Sequence, residues 1–103
     1  MNVSYFRVVF HDDISLNKKI GISAEFTQEL LKHFLCYRGA NDENDAWTYR
    51  MIGVRPGYSW VDGLWAAYVY IANTDLREVK EICFIDRTGE ITPFHPCRPT
   101  AVS

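Results

Sequence analysis

The hydrophobic and polar positions of this chain fall into short segments, most of which have the pattern of β-strands. Residues 3–10 are rich in aromatic and β-branched side chains and predict a first strand. Residues 46–52 alternate between two faces and predict a second. Residues 78–85 and 90–94 predict two further strands. They are joined by a turn that ends at Gly89, where a left-handed conformation closes a hairpin.

One segment has the period of an amphipathic helix. Residues 24–37 place their large apolar side chains in a single stripe, with polar residues off it. The stripe consists of Phe26, Leu30, Leu31, Phe34 and Leu35. Ser23 is a suitable N-cap and Gly39 a suitable residue to end the helix. The sequence therefore predicts a helix between them.

Residues 64–72 admit two interpretations. Two sets of side chains alternate along the segment, which favours a third strand. One set is Trp65, Ala67, Val69 and Ile71, and the other is Tyr68 and Tyr70. A helix is the alternative, because leucine and alanine are good helix formers.

The order of these elements predicts an α+β fold in two layers. One amphipathic helix packs on a four- to five-stranded, mainly antiparallel sheet. We expect residues 1–103 to form a single domain with a loose, proline-rich C-terminal tail from about residue 95. A helix of about 14 residues is about 21 Å long and cannot cover five strands. Part of the sheet is therefore expected to be available to a partner or to a second copy.

Composition narrows the class of protein. Hydrophobic residues make up 48% and charged residues 23% of the chain, as in folded soluble domains. The 15% aromatic content exceeds what so small a core can use, which favours exposed aromatic residues at a binding surface. The formal net charge of −2 and the lack of clustered lysine and arginine argue against a nucleic-acid partner.

The cysteines and the apolar runs indicate the cellular compartment in which we expect the protein. Three cysteines, without a CxxC pair or a signal-peptide pattern, indicate free thiols in a reducing cytoplasm. The longest apolar run, residues 64–72, is much shorter than the about 20 residues that cross a membrane. We therefore expect a cytoplasmic protein.

Two groups of residues are candidates for contact with a partner. The first combines an arginine with aromatic side chains around a proline–glycine turn, the residue types that dominate binding hot spots. It consists of Arg55, Tyr58, Trp60 and Trp65. The alternative is that the tryptophans fold back onto the sheet. The second group is an acidic run that could face a basic partner, or could simply be a solvated loop. It contains Asp42, Glu43 and Asp45.

A zinc site is the strongest metal hypothesis. Two histidines and two cysteines make a tetrahedral ligand set, although their spacing matches no zinc-finger pattern. The candidates are His33, Cys36, His95 and Cys97. On the predicted helix, His33 and Cys36 would point the same way. The alternative is that Cys36 is a small, partly buried hydrophobic residue. The chain has no phosphate-binding loop and no nucleophile elbow, so we expect neither a cofactor nor an enzyme.

These observations favour a small protein-binding module that occupies a surface of another macromolecule. Immunity proteins of bacterial toxins and phage-encoded blockers of restriction or CRISPR nucleases have this profile, as an analogy of size and composition. A small zinc-binding or enzymatic domain is one alternative. A structural homodimer subunit, paired through the bare sheet face, is the other.

Overall fold

The computed structural model describes residues 3–39 and 45–93. Its strands and helices follow in chain order as β1 (Val3–Phe10), α1 (Leu16–Leu31), β2 (Phe34–Arg38), β3 (Ala46–Val54), α2 (Trp60–Ala72), β4 (Val79–Asp86) and β5 (Ile91–Pro93). The strands form one sheet in the order β2-β3-β1-β4-β5, and every neighbouring pair is antiparallel. The predicted α+β class and antiparallel sheet are confirmed.

The connectivity interleaves two β-α-β units. Helix α1 joins β1 to β2, which have β3 between them, and α2 joins β3 to β4, which have β1 between them. This is the split β-α-β arrangement, with β5 added beside β4. Both helices lie on the same face of the sheet, because side chains of α1 and α2 share one core with the central strands.

The first helix differs from its prediction at both ends. It begins after Ser15, whose side chain accepts a hydrogen bond from the backbone of Lys18 at 3.2 Å, and not after Ser23. It ends at Leu31, and residues 34–38 form β2 instead of a last helical turn. The predicted helix over 24–37 combined the second half of α1 with most of the strand that follows it. The helical stripe is followed directly by a strand that buries Phe34 and exposes Leu35.

The prediction of a strand over 64–72 is wrong, because residues 60–72 form α2. The Ser59 side chain accepts a hydrogen bond from the backbone of Asp62 at 3.1 Å and caps the helix. The burial period is four: Gly63, Ala67 and Ile71 face the core. Alternation along the segment did not correspond to two faces of a strand, and the fold has two helices where one was expected.

The remaining predicted strands agree with β1, β3, β4 and β5 to within a few residues. The hairpin between β4 and β5 is also confirmed. Gly89 has a positive φ of 88°, and the Asp86 carboxylate accepts backbone hydrogen bonds from Thr88 and Glu90. The expected C-terminal tail lies outside the described residues.

Aromatic rings fill the space between the sheet and the helices. Phe6 on the central strand β1 is fully buried, with ring centroids 5.8 Å from Phe26 of α1, 5.7 Å from Tyr49 and 5.0 Å from Phe84. Phe26 in turn contacts Tyr70 of α2 at 5.8 Å. The helices are therefore fixed to the sheet by one continuous aromatic core. Neither helix of the described ranges has the length and apolar composition that a membrane span needs.

Candidate functional site

Helix α2 is apolar on two faces. Its inner face packs on the sheet, and its outer face consists of Val61, Trp65, Tyr68 and Val69, all exposed. Steps of four, three and one residues place these four side chains on one side of the helix. The Trp65 and Tyr68 rings stack, with centroids 5.4 Å apart and an interplanar angle of 24°. The outer face of α2 is thus a stripe of large apolar side chains in contact with solvent.

The side chains of this stripe are more exposed to solvent than large apolar residues usually are. Trp65 is 64% exposed and Val61 is 69% exposed. A surface helix normally carries charged or polar residues on its outer side. In α2 the one charged residue of residues 60–72 is Asp62, in the first turn, where the helix dipole favours a carboxylate.

Two carboxylates of α1 act on a tyrosine of α2. Burial raises the pKa of the Tyr70 hydroxyl, and the charges of Glu25 and Glu29 raise it further. Glu29 also pairs with Lys32 at 2.9 Å. Asp62 is seven residues before Val69 and therefore lies beside the apolar stripe, where it forms an acidic border at the first turn of α2.

The structure divides the predicted Arg55, Tyr58, Trp60 and Trp65 group into exposed and internal members. Tyr58, in the turn before α2, is exposed and contacts the His33 ring at 4.8 Å. Trp60 is half-buried, and its ring lies 5.5 Å from that of Phe34 in the core. The half-buried Arg55 side chain donates a hydrogen bond to the Leu31 carbonyl and holds the end of α1 against the turn.

Sequence interpretation therefore singled out Trp65 but missed three other members of the outer face. Val61, Tyr68 and Val69 were not named as candidates, because an alternating strand would have placed them differently. The signal that identifies them is the i, i+4, i+7, i+8 spacing of apolar residues from Val61 to Val69. That spacing has meaning only once the segment is taken as a helix.

The acidic group is only partly within the described ranges. Asp45 pairs with Lys19 at 2.8 Å, and its backbone carbonyl accepts a hydrogen bond from Phe10. It therefore links α1, β1 and the start of β3. Asp42 and Glu43 lie outside the described residues.

The helical geometry expected for His33 and Cys36 is wrong. His33 follows α1 in a turn and Cys36 lies on β2, so no shared helix aligns them. His95 and Cys97 lie outside the described residues. Within 3–39 and 45–93, no group of three or more His, Cys, Asp or Glu residues could hold a metal ion.

Burial also keeps the described cysteines protonated. It raises the pKa of the Cys36 thiol to about 11, although the nearby Arg55 charge lowers it in part. Burial likewise raises the pKa of Cys83. The thiolate is the form that acts as a nucleophile or binds zinc. At neutral pH neither of these two thiols is activated as a nucleophile.

Comparison with protein-family models, with curated proteins and with solved structures gives no match to this chain.

Proposed function

We propose that this protein acts by binding another protein through the outer face of α2 and occupying a surface on that partner. The observation that carries the proposal is the second apolar face of α2, on which Trp65 and Tyr68 stack in contact with solvent. Contiguous exposed apolar residues of this kind mark interaction sites. Tryptophan and tyrosine are also the side chains most often found at binding hot spots.

The charge beside the stripe favours a basic partner. Asp62 forms an acidic border beside the stripe, and it is the one charged residue within 60–72. A partner with arginines or lysines around an apolar patch would complement this border and exclude acidic competitors. Proteins that bind nucleic acids carry such surfaces.

This chemistry supports the inhibitor hypothesis more than a purely structural role. A small protein that covers a basic, nucleic-acid-binding surface prevents that surface from being used. Immunity proteins and phage-encoded blockers of restriction or CRISPR nucleases act in this general way. We place the site of action in the cytoplasm, because the chain carries an odd number of cysteines without a CxxC pair.

The test is affinity capture from lysate of the native host, with tagged full-length protein and two matched variants. Trp65→Ala removes the centre of the outer face. Ile52→Ala removes an apolar side chain of nearly equal exposure, 62% against 64%, on the opposite face of the sheet. Circular dichroism and thermal unfolding establish that both variants are folded.

We expect one or a few basic proteins to be retained by the wild type and by Ile52→Ala and lost with Trp65→Ala. Elution by moderate salt is expected as well, because exposed charges contribute at the border. Equal retention by both variants would contradict the assignment. So would a wild-type homodimer that dissociates in Trp65→Ala, since the outer face would then be occupied by a second copy.

A further inference from the structure

The sheet has a second exposed surface, on the side away from both helices. Its most exposed apolar side chains are Leu35, Tyr37, Ile52 and Ile91, of which Tyr37 is 53% exposed. We refer to this surface as the open face of the sheet. Neither of the two described helices covers it, because both share the core on the other face.

Strand register aligns a row of side chains across this face. Tyr37 on β2 pairs with Arg50 on β3, which pairs with Tyr5 on β1. The row continues on β4 with Ile85, which is buried, and reaches the exposed Ile91 on β5. Since neighbouring strands are about 4.8 Å apart, the two tyrosines lie about 10 Å from each other with Arg50 between them.

A second cation lies beside this row. Arg7 is two residues from Tyr5 on β1, and therefore on the same face, and it pairs with Thr48 and Cys83. The Arg50 guanidinium carbon is 5.4 Å from the Tyr5 ring centroid, and Nη1 donates to the Tyr5 hydroxyl at 3.3 Å. The open face thus holds two arginines and Tyr5 on its inner strands, with Tyr37 on the edge strand β2.

The charges on this face disfavour a second copy as its occupant. In a two-fold contact, the arginines of one copy would have to be neutralised by carboxylates that the same face of the other copy supplies. Among the described residues that register places on this face, Glu81 is the one carboxylate. It pairs with Val9, two residues from Arg7, so it neighbours Arg7 and leaves Arg50 without a carboxylate beside it on this face. The occupant must therefore bring negative charge of its own.

The aromatic side chains narrow the class of anion. Tyr37 and Tyr5 offer planar rings on which another planar group can stack. Single-stranded nucleic acid combines planar bases with a phosphate charge at each step, and proteins bind it with aromatic platforms and nearby cations. The overall charge of −2 is an average over the whole surface, whereas this face is locally positive.

We propose that the open face of the sheet binds single-stranded nucleic acid, with bases stacked on Tyr37 and Tyr5 and phosphates paired with Arg50 and Arg7. The surface is separate from the outer face of α2. A nucleoprotein partner could therefore contact both.

The test is fluorescence anisotropy with labelled 12-nucleotide oligouridylate and oligothymidylate at low salt, using the full-length protein. We expect saturable binding that Tyr37→Ala weakens by about fivefold to a hundredfold and that Tyr37→Phe preserves, since phenylalanine keeps the stacking ring. With two phosphate contacts, the logarithm of affinity should fall with the logarithm of salt concentration at a slope of about −1.4. Arg50→Ala should reduce that slope to about −0.7.

The controls are Lys18→Ala and Leu16→Ala, which remove an exposed cation and an exposed apolar side chain of α1. Both should bind the oligonucleotides like the wild type. Absence of binding at low salt, or binding unaffected by Tyr37→Ala and Arg50→Ala, would overturn the proposal. Tighter binding of polyglutamate than of either oligonucleotide would also overturn it, in favour of an acidic polypeptide. None of these results depends on the capture experiment with Trp65→Ala.

Discussion

Single residues decide how closely α2 approaches the sheet. Gly63 faces Phe34, a fully buried side chain of β2. A Cβ atom at position 63 would lie 2.6 Å from Phe34 Cζ and 2.8 Å from Cε1. The absence of a side chain at Gly63 is thus what allows the helix to pack on this ring, and the buried ring has little freedom to move away.

We predict that Gly63→Ala destabilises the protein by about 1–3 kcal/mol, although alanine favours helix by up to about 1 kcal/mol. Gly21 in α1 is the matched control, because nothing lies within 4 Å of a Cβ added there. Gly21→Ala should stabilise by about 0.5–1 kcal/mol. Urea unfolding measures the change in stability of both variants, and their m-values should equal that of the wild type. A Gly63→Ala variant as stable as the wild type would refute this close contact.

A buried hydroxyl pair ties α1 to β3. Ser23 Oγ and the Tyr49 hydroxyl oxygen are 2.7 Å apart, and the Tyr49 hydroxyl also donates to the Ser23 carbonyl at 2.9 Å. Burial raises the pKa of Tyr49 to about 12, while the Ser23 hydrogen bond lowers it in part. The folded protein therefore keeps a proton that the unfolded chain loses above about pH 10.

The stability contributed by neutral Tyr49 should be complete below about pH 10 and should be lost as the pH rises towards 12. Tyr49→Phe is expected to be less stable than the wild type by about 1 kcal/mol at pH 7, because Ser23 loses its partner. The difference should shrink above pH 10, by up to about 1.4 kcal/mol per pH unit. Denaturant unfolding across pH 7–12 measures it. A constant difference would mean that Tyr49 titrates alike in both states.

At the scale of elements, β1, β3, β4, β5 and the presence of a helix before residue 32 were predictable, whereas β2, the ends of α1 and the helical state of α2 were not. Residues 46–54 and 79–86 can be recognised as strands from their β-branched and aromatic content and from the turn residues at their ends. Helix α2 has two apolar faces, so it lacks the polar side that makes a helix recognisable in a sequence. The same property prevented the sequence pattern from indicating the candidate site. The four side chains of the outer face share one side only when the segment is helical. Long-range strand order, which creates the open face, leaves no local signal at all.

Because Trp60 and Trp65 lie on different faces of α2, the same substitution should change the stability of the protein by different amounts. Trp60→Ala should destabilise the protein by about 2 kcal/mol, because the indole is half-buried against Phe34. Trp65→Ala should change the unfolding free energy by no more than about 0.5 kcal/mol, because Trp65 points to solvent. Thermal and denaturant unfolding compare them. Equal losses of stability in the two variants would mean that the outer face is packed and not available.

At the scale of the whole molecule, two exposed surfaces lie on opposite sides of the sheet. The outer face of α2 is aromatic and is bordered by Asp62, and the open face of the sheet is aromatic with two central arginines. Complementary partners would carry basic and acidic groups respectively. The two proposals together predict binding to a complex of protein and nucleic acid.

The most direct test of the central claim is the dissociation constant for a purified, captured protein, measured by titration calorimetry. The comparison is between wild type, Trp65→Ala and Ile52→Ala. If the outer face of α2 is the binding surface, Trp65→Ala should weaken binding by about thirtyfold or more, which corresponds to a loss of about 2 kcal/mol. Ile52→Ala should remain within about twofold of the wild type. Unchanged affinity in folded Trp65→Ala would contradict the account.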